Sequence, residues 1–144
     1  MTKLVLVVFL PFQAVFLQGQ TIVGKWKTVD DVSGTPRSVV EIYRKGNEYF
    51  GKVLKIYPKP GEDPDPLCDE CEGEKKDKRI IGMEIIERMR LNSDEKIYED
   101  GEILDPENGS IYDCRMWIEE DGNLRVRGYL FFLYRTQIWL PFDE

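Results

Sequence analysis

From Ile22 onward the chain alternates apolar and polar residues over runs of four to ten positions, and each run ends in a cluster of Gly, Asn, Asp or Pro. A period of two is the mark of strands with one buried face, and the clusters are turn chemistry. The pattern predicts strands over 24–29, 37–44 and 48–57, with turns at 31–36 and 45–47. After a long segment from Pro58 to Arg79 it predicts strands over 80–86, 102–104, 110–119, 124–130 and 135–140. Asp105-Pro106-Glu107-Asn108-Gly109 is the strongest hairpin signal, because Pro fixes φ and Asn-Gly accepts positive φ. The stretch Met83 to Leu91 reads two ways: its first half continues a strand, but Ile85, Ile86 and Met89 also fit one side of a helix. About eight short strands joined mainly by hairpins predict an antiparallel meander, and closure into a barrel leaves no unpaired edge. A barrel of eight strands has room for a solid core or one small ligand.

The first nineteen residues have a different character. Lys3 precedes the apolar run 4–12, and a second apolar cluster, 14–17, leads to Gly19. That is a charged start followed by an apolar stretch shorter than the roughly 18 residues of a spanning helix, so residues 1–19 read as an export signal. Its removal leaves residues 20–144 as one β-barrel domain, periplasmic or secreted, with no transmembrane segment. The competing reading is a buried or amphipathic N-terminal helix.

Composition then narrows the chemistry. The 144 residues include no His, and 20 Lys and Arg stand against 27 Asp and Glu, for a net charge of -7. Without His there is no Ser-His-Asp or Cys-His nucleophile, no His-ligated metal, and none of the usual acid–base catalyst near neutral pH. The acidic balance argues against nucleic acid and against anionic membrane surfaces. An enzyme would have to use paired carboxylates, such as Glu41 with Asp105 or Asp113, and nothing in the spacing fixes their separation. The expectation is a protein that is not an enzyme and needs no cofactor.

Cys68 and Cys71 sit in a loop rich in Pro, Asp and Glu. A zinc site needs more Cys or His ligands than Cys114 supplies. A redox thiol needs positive potential, and this pair is ringed by carboxylates that would raise its pKa. The reading adopted is a small Cys68–Cys71 disulfide pinning the loop in an oxidising compartment, with no metal. Calcium is the remaining acidic-loop alternative, but the segment lacks EF-hand spacing. Cys114 shares a face with Tyr112, Met116 and Ile118, and is expected to be a buried thiol.

Several motifs in order then carry a resemblance. Gly24-Lys25-Trp26, Ser38 through Tyr43, Tyr49-Phe50-Gly51-Lys52-Val53, the 68/71 cysteine pair, Ile81-Gly82-Met83, Gly101 through Gly109, Tyr112-Asp113-Cys114, Val126-Arg127-Gly128-Tyr129 and Arg135 through Trp139 together resemble the bacterial domain-of-unknown-function family 2147. The chain departs from that pattern at Phe131-Phe132-Leu133-Tyr134, where a glycine is expected just before the Arg. The resemblance implies an uncharacterised exported protein with a lipocalin-like barrel. It also implies that Trp26 plugs the closed end with Arg135 across its ring, Arg127 competing for that place. A guanidinium over an indole gains roughly 0.5–2 kcal/mol.

In such a barrel Tyr43, Phe50, Trp117, Tyr129 and Trp139, with Arg127 as a polar anchor, are the candidate lining of a site for a small apolar or amphipathic ligand. The alternatives are a core filled by these aromatics and a secreted or envelope interaction module that works through its surface and the 58–79 loop. The sequence names no protein partner.

Overall fold

The computed structural model describes Thr2 and residues 20–143. The export-signal reading of residues 1–19 therefore falls, Thr2 apart, outside the described residues. Eight strands follow: β1 (Gly24–Val29), β2 (Pro36–Lys45), β3 (Glu48–Ile56), β4 (Glu84–Asn92), β5 (Ile97–Asp105), β6 (Ser110–Ile118), β7 (Leu124–Leu130) and β8 (Leu133–Pro141). Each pairs antiparallel with the next, and β1 closes on β8 through Trp26 opposite Pro141 and Lys27 opposite Leu140. The all-β barrel predicted from the period-two pattern is the fold. One 3₁₀ turn, Gly73–Lys75, is the only helical element among the described residues.

The ambiguous stretch belongs to β4, and no helix forms there. Arg88 takes a φ of 56°, and the β3 register shifts between Ile86, opposite Gly51, and Met89, opposite Tyr49. This bulge puts two side chains three residues apart on one face, which imitates helical spacing. β5 also runs further than the pattern predicts. Asp100, at φ 65°, and a register shift between Tyr98 and Gly101 break its alternation. The two irregular strands fit each other: a Cβ on Gly101 would lie 2.4 Å from the Glu87 carbonyl oxygen of β4.

The meander gives the barrel two unlike ends. The turns β2–β3, β4–β5 and β6–β7 lie at one end, where Ile22, Trp26, Ile42, Met89, Met116 and Leu124 are buried. Tyr49 and Tyr98 meet there edge to face at 4.8 Å. The β1–β2, β3–β4, β5–β6 and β7–β8 connections gather at the other end. Packed apolar volume closes the first end as a floor, and loops frame the second as a mouth. The β7–β8 turn needs only Phe131 and Phe132 between paired Leu130 and Leu133, and Phe131 adopts a φ of 56°, a backbone that favours glycine.

Candidate functional site

The mouth is hollow. A cavity of about 570 Å³ opens there, with a wall of barrel residues (Thr28, Ser38, Val53, Gln137 and Trp139 among them) and a wall from the β3–β4 loop, including Lys59, Glu62 and Pro66. A second cavity of about 320 Å³ lies beside it, lined by Tyr112, Val126, Gly128, Leu130, Leu133 and Tyr134. Ile103, Leu104, Asp105, Arg135 and Gln137 border both, so the two spaces meet as arms of one site. These volumes fall within the range of small-ligand pockets. The arm exists because β7 carries Gly128 at an inward position: an added Cβ would come no closer than 3.4 Å to Tyr112, so the space in front of it is ordinary contact space.

The long loop is held in place by covalent and ionic ties. Cys68 and Cys71 form the disulfide, both side chains buried, and Leu67 bridges Arg79 across the base of the loop. Cys68 N–H donates to the Lys78 carbonyl at 2.7 Å and Asp77 N–H to the Cys68 carbonyl at 2.9 Å. Arg37 of β2 reaches Glu62 at 3.1 Å and Glu107 at 2.9 Å, tying the loop and the β5–β6 turn to the barrel wall. Lys59 pairs with Asp30 at 3.3 Å. Lys75 donates to the Glu84 carbonyl at 2.8 Å and pairs with Glu87.

Local hydrogen bonds set the charge state of the rim. The Asp30 carboxylate accepts from Ser33 and Val32 N–H groups at 2.9 and 3.0 Å, which with Lys59 holds its pKa well below the usual carboxylate range. Glu62 is lowered in the same sense by the Lys59 N–H and by Arg37. Arg135 donates through Nε and Nη2 to Asp31, which raises its pKa. Cys114 is a free, buried thiol whose pKa is pushed up to about 12 by burial, so it is no nucleophile.

Trp26 is buried in the floor and its Nε1–H donates to the Ile22 carbonyl at 2.8 Å. Arg135 does not cross its ring. It lies near the start of β8, and Trp26 pairs with the end of that strand at Pro141, about 20 Å along at 3.4 Å per residue. Arg127 is not there either: it lies 4.9 Å from the Trp117 ring and 4.3 Å from the Tyr134 ring, and donates to Thr136.

Of the residues expected to line the ligand site, Trp139 does so, buried at the inner side of the larger cavity. Tyr43, Phe50, Trp117, Tyr129 and Arg127 border neither cavity. They occupy the alternate, outward positions: Tyr43 stacks on Phe50 with Lys45 and Lys52 over the rings, and Tyr129 meets Arg115 and Tyr134. Cations cover aromatic faces on the outside of the barrel. Of the carboxylates weighed as an acid–base pair, Asp105 borders the cavities, whereas Glu41 is engaged with Lys52 at 3.5 Å and Asp113 is exposed opposite Tyr129. The lining residues missed, Tyr112, Gly128 and Gln137 above all, share the inward phase of Cys114, Val126 and Trp139.

Comparison with known proteins agrees with this architecture. The family model for an uncharacterised protein conserved in bacteria, the domain of unknown function DUF2147, matches residues 24–140. The chain belongs to that family. Among solved structures it is similar to protein HP1028 from the human pathogen Helicobacter pylori, described as belonging to the lipocalin family, with a TM-score of 0.72 at 12% identity over 86% of this chain and 84% of that one. No curated protein matches the sequence.

Proposed function

We propose that this member of the family is an exported, non-catalytic carrier or sensor that binds a small apolar or amphipathic ligand in the two-armed mouth of its barrel. The observation that carries the reading is the division of the interior: a floor closed by Trp26, Met89 and Met116, and a mouth with about 570 Å³ of space joined to an arm of about 320 Å³. Export is supported by the apolar segment at residues 4–17 and by the Cys68–Cys71 disulfide, a bond typical of oxidising compartments. The non-catalytic reading is supported by the lack of His in the sequence and by the position of Glu41 and Asp113 outside the cavity lining that holds Asp105.

A neutral probe tests the pocket. Decanol is expected to raise the melting temperature and change Trp fluorescence, because a ligand that binds the native state stabilises it by mass action. Gly128→Leu places a side chain in the smaller arm and should abolish the shift while leaving the melting temperature of the free protein within a few degrees. A shift undiminished by Gly128→Leu would place binding elsewhere. If decanol and a broad apolar panel leave the melt unchanged, the second reading takes over, an interaction module acting through its surface. That reading has its own observation: Phe131 and Phe132 are about 90% exposed at the hairpin tip, between Leu130 and Leu133, themselves exposed.

A further inference from the structure

The charges around the mouth choose between ligand head groups. Seven carboxylates and three cations line the larger cavity. Each cation is already engaged: Arg37 by Glu62 and Glu107, Lys59 by Asp30, and Arg135 by Asp31. Asp63, Asp69 and Asp105 have no ion-pair partner among the described residues. The position of Asp105 matters most, since it borders both arms, at the junction where an apolar tail would give way to a head. Its Oδ1 accepts only the N–H of Glu107, at 2.9 Å, and Arg135, whose hydrogen bonds go to Asp31, attracts it only through space, which leaves the carboxylate short of a direct counter-charge.

An anionic head at this junction would have to strip Asp31 from Arg135 and then face Asp105. A cationic head needs no existing pair to break and gains a carboxylate with no direct ion pair in a cleft partly shielded from water, where charge interactions are stronger than in bulk. Resting on the binding role assigned above, we propose that the mouth selects amphipaths with a cationic head: the aliphatic tail fills the arm lined by Tyr112, Val126, Gly128 and Leu133, and an amine or ammonium group sits against Asp105. Asp30 and Glu62 stay ionised into acid conditions, held by their hydrogen bonds, so Lys59 and Arg37 keep their partners.

The test uses decylamine, decanol and decanoate, all below their aggregation concentrations, titrated into the protein at low and at moderate salt. Decylamine should bind about tenfold more tightly than decanoate, with decanol between them, and the spread should narrow as salt screens the rim. Asp105→Asn keeps the acceptor for the Glu107 N–H and should bring decylamine down to the level of decanol without weakening decanol. Decanoate equal to or tighter than decylamine would overturn the selectivity and leave the pocket standing. An unchanged preference in Asp105→Asn would overturn the placement of the head. Failure of all three compounds to bind would overturn this inference together with the binding role.

Discussion

Replacing Trp26 with alanine is expected to lower stability by about 3–5 kcal/mol, the cost of deleting a large buried aromatic, and the melting temperature by roughly 10–20 °C. The indole is 6% exposed and closes the floor beside Ile22, Ile42 and Leu124. Its removal leaves a void among side chains fixed by the closed sheet, and it leaves the buried Ile22 carbonyl without its 2.8 Å donor. Trp26→Phe should recover most of the packing and none of that hydrogen bond. The contrast is Arg135→Ala, expected to change stability by less than about 1 kcal/mol, since its ion pair with Asp31 is largely exposed. A Trp26→Ala protein that melts with the parent, or an Arg135→Ala protein that falls as far as Trp26→Ala, would overturn the division into floor and mouth.

Gly109→Ala is the second large effect. Gly109 has a φ of 73°, a backbone that costs an L-residue roughly 1–2 kcal/mol. An added Cβ would also lie 1.9 Å from the Glu70 carbonyl oxygen, a backbone atom with no side-chain freedom to yield. Either the β5–β6 turn or the disulfide loop must move, and the loop is the softer partner. We expect a loss of about 2–4 kcal/mol, strain and overpacking combined. The local sign is specific: limited proteolysis should cut within 58–79, and the Cys68–Cys71 bond should reduce faster with dithiothreitol. Parental proteolysis and reduction rates would show that the turn does not seat the loop.

Strand number and closure were legible because period-two alternation and turn residues are local signals. The irregular strands were harder for the same reason: the bulge at Arg88 and the left-handed Asp100 break the period inside β4 and β5, and no local pattern distinguishes a bulged strand from a helical face. Errors over the site were errors of phase. Tyr112, Cys114, Met116 and Ile118 share one face of β6, so Trp117 must face outward by the same alternation, and Tyr129 must likewise oppose Val126 and Gly128 on β7. Aromatic identity suggested a lining that the alternation already denied. Arg135 failed on topology: in an antiparallel closure the start of β8 lies at the opposite end from the start of β1. The cavity itself left no trace in the pattern, since it depends on a glycine facing Tyr112 and on how a long loop, fastened by Arg37, sits against the barrel.

The interior divides into a packed floor and a hollow mouth, and ligand binding in that mouth is the proposed role. Backbone amide shifts recorded during a decanol titration test it most directly. Saturable changes should concentrate at Ile103, Tyr112, Val126, Gly128 and Gln137, with Ile42, Met89 and Met116 unmoved. Shifts that fall instead on the outward face of Tyr43, Phe50 and Trp117, or that reach the floor residues equally, would contradict it.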